Sequence, residues 1–170
     1  MLRIQWTDPR GGSAAWHDDY VRILSAAGMS AYPDDLGSDS DESTVFAYDG
    51  DDPVGIAQGR VVRNGFEACF GHFEFLPRPQ AMLDKLAVLP GVQGHGVGRL
   101  LIREFAARML LNECATHVAL WVDQATPWEG RVKFFESCGF SSLHEGSDRG
   151  EELPPFGAEI ASLVESNARS

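Results

Sequence analysis

The segment that most restricts the fold of this chain lies at residues 88–99 and reads VLPGVQGHGVGR. Four of its twelve residues are glycine, and it joins two segments with strong apolar patterns. The preceding residues, AMLDKLAV at 81–88, are typical of a strand, and VGRLLIREFAARMLLN at 97–112 has the apolar spacing of an amphipathic helix. The sequence therefore predicts a strand, a glycine-rich turn and a helix in direct succession.

This order of elements predicts an anion-binding site. The first backbone N–H groups of a helix have no intrahelical acceptor, and the helix dipole adds about half a positive charge at that end. Gly94, Gly96 and Gly98 lack the Cβ atoms that would keep a phosphate away from these amides. Arg99 adds a positive side chain at the edge of the turn. We therefore expect a phosphate-bearing ligand at this turn.

Two common glycine-rich phosphate motifs fit this segment poorly. A Walker A loop needs GK[ST] at its end, whereas this segment ends in GVGR. A dinucleotide-binding fingerprint needs G-x-G-x-x-G in the first strand–helix–strand unit, with an acidic residue about 20 positions later. Here the glycines are spaced G-x-G-x-G, the turn lies in mid-chain, and Glu113 falls at or beyond the end of the helix. The turn therefore indicates another class of phosphate ligand.

Strands and helices alternate in the middle of the chain and strands crowd together at its ends, which indicates a mixed α/β or α+β fold. Gly28 is typical of a helix end, and Thr126 with Glu129 has the spacing of a capping box at a helix start. The other predicted strands are 2–6, 45–49, 54–62, 117–122, 140–144 and 158–164, and the other predicted helices are 13–27 and one from Thr126 to about Gly139.

Composition restricts the partners and the compartment. The chain has 170 residues, 44% of them hydrophobic, which suits one globular domain over residues 1–170. Its net charge of −11 argues against nucleic acid or an anionic membrane as partner, because both select positive surfaces. No apolar run reaches the roughly 18–20 residues of a membrane span, and the N-terminus lacks a signal-peptide core. Cys69, Cys114 and Cys138 are widely separated, which predicts reduced, mostly buried thiols of a cytoplasmic protein.

The stretch LAVLPGVQGHGVGRLLI resembles the acyl-CoA-binding motif of the GCN5-related N-acetyltransferases, the GNAT family. That motif is a strand ending in V-x-P, then Q/R-x-x-G-x-G/A, then a helix, and Val88, Pro90, Gln93, Gly96 and Gly98 match it. The later segment RVKFFESCGF is similar to a family helix with an aromatic pair, three residues and then G-F. Over about residues 2–164, the resemblance implies a twisted, mixed, mostly antiparallel sheet of about six to seven strands with about four helices, split between strands 4 and 5.

The resemblance also implies a co-substrate and the residues that bind it. Acetyl-CoA, or another acyl-CoA, would place its diphosphate on the turn and its pantetheine beside the preceding strand. An amine acceptor would then attack the thioester directly, without a metal ion. The residues implied in cofactor binding are Leu86, Ala87, Val88, Gln93, Gly94, His95, Gly96, Val97, Gly98, Arg99, Trp128 and Phe135.

Two positions depart from the common family pattern. Phe135 stands where many members have a Tyr that can protonate the leaving thiolate, and Trp128 stands where an Asn is often found. Their spacing with Val132 predicts one apolar helix face, against either the pantetheine or the core. Three alternatives stay open: another residue is the acid, the thiolate leaves unprotonated, or the chain is a non-catalytic module that binds or senses acyl-CoA.

Asp84 and Lys85 are unusual because charged side chains are normally excluded from a central strand. Strand alternation predicts that they face opposite sides of the sheet. Either both are solvated near the rim of the sheet, or one lies at the acceptor pocket. In the second case Asp84 is a candidate base or amine anchor, and Lys85 holds an acceptor carboxylate. Asp123, after the next strand, is a second candidate base or the start of a turn.

The identity of the acceptor stays open between a small-molecule and an amino-acid amine. Eight acidic residues between Asp34 and Asp52 indicate a solvated loop or a rim that attracts a cationic amine. The stretch LDKLAVLPGVQGHGVG is also similar to the acetyltransferase domain of N-acetylglutamate synthases, in which the Lys contributes to amino-acid binding. The residues after the next strand do not match those enzymes. Folds of this kind often form a homodimer, but no face of this sequence forces one.

Overall fold

The computed structural model describes residues 1–7, 14–31, 42–63, 76–122, 128–143 and 155–166. These residues form seven strands and four helices, and none of the helices in these ranges is long and apolar enough to cross a bilayer. In chain order the elements are β1 (Leu2–Trp6), α1 (Ala14–Ala26), β2 (Ser43–Asp49), β3 (Asp52–Val62), β4 (Gln80–Val88), α2 (Val97–Glu113), β5 (His117–Leu120), α3 (Glu129–Ser137), β6 (Ser141–Ser142), β7 (Phe156–Glu159) and α4 (Ile160–Ser166).

The strands form one sheet in the order β1-β2-β3-β4-β5-β7-β6. The pairs β1–β2, β2–β3, β5–β7 and β6–β7 are antiparallel. β4 and β5 are parallel, with Ala81 opposite Val118 and Met82 opposite Ala119. A parallel pair needs a crossover connection, and the segment that contains α2 supplies it. The structure confirms the predicted mixed, mostly antiparallel sheet with four helices.

The chain divides into two compact units, and the first contains Met1–Arg60 and Asp84–Phe105. In this unit the apolar face of α1 packs on β2, β3 and the end of β4. Trp16 stacks on Phe46 with 5.5 Å between ring centroids. Each buried large side chain stabilises the fold by about 1.5–3 kcal/mol relative to exposure. The buried members of this core are Tyr20, Ile23, Leu24, Phe46, Tyr48, Ile56 and Ala87.

The second compact unit contains Val61–Leu83 and Ala106–Ser170. One of its clusters joins Val62, Met82 and Ala119, with Leu76 and Leu143 packed against them. Gly157 of β7 lies close to Leu143, because a Cβ at this glycine would be 2.7 Å from Leu143 Cδ2. A side chain at residue 157 would therefore require the Leu143 side chain to move.

Several predicted boundaries are confirmed within two residues. β1 has the predicted bounds, β4 begins at Gln80, and α2 ends at Glu113. α1 ends just before Gly28, whose φ of 71° lies in the left-handed region that glycine adopts without strain. The apolar spacing and the glycine stop were therefore sufficient signals for these elements.

The predicted strand at 158–164 is wrong beyond Glu159, because α4 begins at Ile160. Ile160 and Leu163 are fully buried and lie three residues apart, which is helical spacing. The backbone N–H of Ile160 still donates to Thr116 O at 2.8 Å, one pair beyond His117 and Glu159 in the β5–β7 register, so the helix begins where this ladder ends. The predicted strand at 140–144 is reduced to Ser141–Ser142.

Two further local predictions need correction. α3 begins at Glu129 after Trp128, with no side-chain capping hydrogen bond, so Glu129 is not at the third helical position that a capping box needs. Thr126 itself lies outside the described residues. Cys138 is buried as expected, but Cys114 is exposed, because it lies in the turn after α2 with a left-handed φ of 56°.

Candidate functional site

The glycine-rich loop, residues 89–96, connects β4 to α2 within the first unit. Its first residue is tied to the sheet, because Leu89 N donates to Val54 O at 2.9 Å. A short 3-10 turn follows at Pro90–Val92, closed by a hydrogen bond of 3.0 Å from Val92 N to Leu89 O. The loop therefore leaves β4 in a defined direction before it reaches the helix.

Gly94 and Gly96 both have a φ of 82°, in the left-handed region. A Cβ built on either residue would have no neighbouring atom within 4 Å, and both residues are exposed. Backbone conformation, and not crowding within the chain, is therefore the reason for glycine at these two positions. The same open space over the backbone leaves room for a ligand to approach.

The N-terminus of α2 presents its amides at the end of this loop. The first helical hydrogen bond runs from Leu100 N to Gly96 O at 3.0 Å, so the amides of Val97 and Gly98 precede it. The Val97 side chain is 2% exposed and anchors the helix start in the first unit. Amides in this position, together with the positive end of the helix dipole, can hold a phosphate group.

Two loop side chains support this backbone shape. Gln93 Nε2 donates to Val88 O at 2.9 Å and so links the loop back to the end of β4. His95 Nδ1 lies 3.1 Å from Gln93 O, and because a carbonyl oxygen only accepts, Nδ1 is the nitrogen that carries hydrogen. Both side chains are exposed at the loop surface. Gln93 and His95 thus have structural contacts, in addition to the cofactor contact that the sequence predicts for them.

Sequence reasoning missed Gly55 of β3, which lies beneath the start of α2. A Cβ at Gly55 would be 3.0 Å from Leu101 Cδ1, 3.1 Å from Ala87 O and 3.2 Å from Val97 Cγ1. The missing side chain therefore allows α2 to approach the sheet next to β4. An isolated glycine inside a strand pattern was the available signal.

The second half of β4 carries the other candidate residues of the first unit. Ala87 is buried in the core with Tyr20, whereas Leu86 and Val88 are half-buried. Lys85 lies two residues before Ala87 and contacts Tyr20, so it shares the face that α1 covers. Asp84 is exposed and, by alternation, points to the opposite face. The two charged residues therefore do not form one site.

Lys85 is connected to three polar side chains that sequence reasoning missed. Lys85 Nζ donates to the Tyr20 hydroxyl at 2.7 Å, which donates to Gln58 Oε1 at 3.0 Å. Gln58 Nε2 in turn donates to Thr44 Oγ1 at 3.0 Å. We call these four residues the Tyr20 chain. They come from β4, α1, β3 and β2, so no local sequence pattern could reveal their association.

A second tyrosine of the same core has a different partner. The Tyr48 hydroxyl donates to Asp19 Oδ2 at 3.0 Å, and the Arg3 guanidinium lies 4.6 Å from the centre of the Tyr48 ring. Burial, followed by the hydrogen bond to Asp19, raises the pKa of Tyr48 to about 12. Tyr48 therefore stays protonated at neutral pH.

The remaining candidates belong to the second unit or lie outside the described residues. Phe135 packs edge-on against Phe134 and Phe140, with ring centroids 5.2 and 5.7 Å apart. Trp128 is half-buried just before α3. Asp123 lies outside the described residues. Phe135 thus has a packing role whether or not it also meets a ligand.

The described elements also lack the ligand set that a metal site needs. Within the described ranges, no group of three or more His, Cys, Asp and Glu side chains is arranged to hold a metal ion. The chemical features of these ranges are instead a loop of backbone amides suited to phosphate, and a lysine held by a buried tyrosine.

Comparison with known proteins agrees with this geometry. Residues 2–140 match the Acetyltransferase (GNAT) family. No curated protein sequence matches the chain. Among solved structures, Tetrahymena GCN5 is 16% identical, with a TM-score of 0.65 and coverage of 93% of this chain and 96% of that chain.

Two further solved structures extend this comparison. The Escherichia coli ribosomal-protein-S18-alanine N-acetyltransferase is 15% identical, with a TM-score of 0.66 and coverage of 94% of both chains. The Thermoplasma acidophilum PaiA N-acetyltransferase, solved in complex with coenzyme A, is 13% identical, with a TM-score of 0.61 and coverage of 94% of this chain and 99% of that chain. At these identities the likeness concerns the fold.

Proposed function

Because the chain belongs to the GNAT acetyltransferase family, we propose that it is an acetyl-CoA-dependent N-acetyltransferase acting on a primary amine. The observation that carries this proposal is the glycine-rich loop, where Gly94 and Gly96 are left-handed and the amides of α2 follow. We propose that residues 1–170 act as one acyltransferase domain in the cytoplasm. No metal ion is needed.

The shape of the loop supports coenzyme A as its ligand. Its diphosphate needs several backbone donors in a concave turn, and the exposed, unobstructed backbone at Gly94 and Gly96 offers that approach. We propose that the amides from Gln93 to Arg99 hold the diphosphate, with His95 at the rim. We propose that the pantetheine then follows β4 at Leu86, Ala87 and Val88. Trp128, just before α3, and Phe135 in α3 stay cofactor contacts that the family resemblance implies.

The transfer itself is an exchange of one bond for another. A neutral amine attacks the thioester carbonyl, a C–N bond forms, the C–S bond breaks, and the amine loses a proton to a base. The exposed carboxylate of Asp84 is a candidate base for an acceptor on its own face of the sheet, and Asp123 is the candidate base if Lys85 binds the acceptor. Phe135 has no proton to give, but a thiol with a pKa of about 8.5 leaves as a thiolate at little cost near neutral pH.

One observation favours an amino acid as the acceptor over a cationic amine. Lys85 is half-buried and held by Tyr20 on the α1 face of β4, where a fixed ammonium would attract a carboxylate. This placement suits the role that the local likeness to N-acetylglutamate synthases implies for the lysine. The cationic-amine alternative depends on the acidic residues from Asp34 to Asp52, which lie largely outside the described ranges.

A non-catalytic acyl-CoA-binding or sensing module is the competing function. The packing of Phe135 against Phe134 and Phe140 supports it, because the position often given to a general acid has an apolar role here. The two functions share the loop and differ only in turnover. Both therefore predict binding of coenzyme A.

The decisive experiment measures binding and turnover separately. Calorimetry with coenzyme A and acetyl-CoA tests the loop, and release of free thiol in the presence of an amine panel tests transfer. We expect micromolar binding and thiol release that depends on one class of amine. Tight binding without release for any amine would favour the sensing module, and no binding would contradict both functions.

The role of Asp84 has a matched test. Asp84→Asn should lower kcat/KM and alter its pH profile if this carboxylate is the base, since only the ionised form accepts a proton. Asp51→Asn, in the exposed turn between β2 and β3, is the control. An unchanged pH profile in Asp84→Asn would remove Asp84 as the base and leave Asp123 as the candidate.

A further inference from the structure

The hydrogen bonds of the Tyr20 chain all run in one direction. Gln58 presents its NH₂ to Thr44 and its carbonyl oxygen to Tyr20. The single hydroxyl hydrogen of Tyr20 is therefore directed to Gln58, and the Tyr20 oxygen accepts from Lys85. Aligned donors polarise one another, so each bond strengthens the next. The arrangement thus favours an N–H of Lys85 pointing at Tyr20.

Packing alone does not account for these polar side chains. Tyr20 and Gln58 are fully buried and Thr44 is 1% exposed, in a region that also contains Phe46 and Ile56. An apolar core of the same volume is generally at least as stable as a buried polar network, and a partly broken network is costly. The polar residues therefore need an explanation other than stability.

The contact with Lys85 supplies that explanation. A lysine side chain is long and flexible. Binding of a ligand to a freely moving lysine therefore costs the rotamer entropy that the lysine side chain loses. Tyr20 holds Lys85 Nζ by a hydrogen bond, and its ring centre lies 5.4 Å from the same nitrogen. The ammonium is therefore held in place before any ligand arrives.

We propose that Tyr20 is a positioning residue for the acceptor, which acts by fixing Lys85 and is itself oriented by Gln58 and Thr44. This proposal rests on the proposed function, in which Lys85 binds the acceptor. Because Tyr20 is fully buried, it would act on the acceptor through Lys85 and not by direct contact. Its loss should therefore raise the KM for the acceptor and leave the KM for acetyl-CoA and kcat largely unchanged.

The protein contains only two lysines, Lys85 and the exposed Lys133, which allows a test that needs no turnover. Competitive labelling with trace acetic anhydride, read by mass spectrometry, gives the reactivity of Lys85 relative to Lys133 in the folded protein. Tyr20→Phe removes the hydroxyl and keeps the ring. Tyr48→Phe is the matched control, because it removes another hydroxyl from the same core that bonds Asp19 instead of Lys85.

We expect Tyr20→Phe to raise the relative reactivity of Lys85 by at least about threefold, because the hydrogen bond to the Tyr20 hydroxyl, which favours the ammonium form, is lost. Tyr48→Phe should leave the ratio unchanged. Gln58→Met breaks the chain one bond further away and should act in the same direction as Tyr20→Phe. The double variant should show no additional increase, because both changes interrupt the same chain. An unchanged ratio in folded Tyr20→Phe overturns the proposal.

Kinetics supply the second readout. With an amine that the wild-type protein acetylates, Tyr20→Phe should raise the acceptor KM by about tenfold and change kcat by less than about twofold. An equal loss in kcat, or a higher KM for acetyl-CoA, would also overturn the proposal. Absence of turnover with every amine would instead contradict the proposed function, while the labelling ratio still decides whether Tyr20 fixes Lys85.

Discussion

The glycine-rich loop and the Tyr20 chain are two regions of the same unit, and they are built in different ways. The loop consists of consecutive residues, and its chemistry belongs to the backbone, exposed by Gly94 and Gly96. The Tyr20 chain is assembled from four separate elements, and its chemistry belongs to side chains. We propose that the first region binds the diphosphate of coenzyme A and that the second positions the acceptor.

This difference explains why the two regions should respond differently to substitution. Only substitution by proline removes a backbone N–H, so the loop is vulnerable mainly to changes of backbone conformation or support. A side-chain network loses its function with one hydroxyl or amide group. Loop variants should therefore affect coenzyme A binding or folding, whereas variants of the Tyr20 chain should affect the acceptor.

The largest expected effect is at Gly55, which lies beneath the start of α2. In Gly55→Val the new side chain would overlap Leu101 and the backbone oxygen of Ala87. Overpacking of this kind should lower the free energy of unfolding by about 3 kcal/mol in urea denaturation. Gly91→Val, where a Cβ has no neighbour within 4 Å, is the control. Equal stability of the two variants would show that α2 does not depend on close approach to β3.

The next effect is at Gly96 and tests the backbone character of the loop. Alanine at a φ of 82° is strained by about 1–2 kcal/mol, equivalent to roughly a 5–30-fold weaker affinity for coenzyme A if the loop must shift. Calorimetry of Gly96→Ala against Gly91→Ala measures this difference. If the loop keeps its shape, the same free energy is lost from folding. Unchanged affinity together with unchanged stability would contradict the backbone account.

The third prediction concerns the pH dependence of stability that Tyr48, which is not part of the Tyr20 chain, should cause. The pKa of Tyr48 is raised from 10.0 to about 12, so the folded protein holds this proton more tightly than the unfolded chain. The stabilisation of the folded state that results from this raised pKa is fully present below pH 10 and is lost as the pH rises through about 12. Urea unfolding at about pH 9 and about pH 11 should show a smaller loss in Tyr48→Phe than in the wild type. Equal losses would contradict the raised pKa.

The smallest effect is expected at the other end of α2. Cys114 adopts a left-handed φ of 56° that glycine would adopt without strain. Cys114→Gly should raise the free energy of unfolding by about 0.5 kcal/mol, because relief of strain slightly exceeds the greater chain entropy of unfolded glycine. Cys114→Ala keeps the strain and should show no gain. A gain in the alanine variant would attribute the effect to loss of the thiol instead.

The sequence predicted most elements but not all of their ends or types. α2 and the loop before it were predictable because the apolar period, the glycines and the helix start are local signals. The segment after Glu159 was predicted as a strand, because a short apolar run does not distinguish a strand from a helix. The burial of Ile160 and Leu163 on one side decided in favour of the helix.

The candidate site likewise has one part that the sequence could predict and one part that it could not. The sequence by itself determined the family and the glycine-rich loop that we propose as a phosphate site, because a backbone site made from consecutive residues depends on their order. It also drew attention to Lys85, as a charge in a strand that should be apolar.

Only the tertiary structure decided what Lys85 contacts. Its partner Tyr20 lies 65 positions away in sequence, and Gln58 and Thr44, the next residues of the chain of hydrogen bonds, lie 27 and 41 positions from Lys85. In isolation, each looks like an ordinary residue of a helix or strand. Hydrogen bonds between side chains depend on which elements pack together and in which register. That information is contained in the folded core and not in any local stretch of the chain.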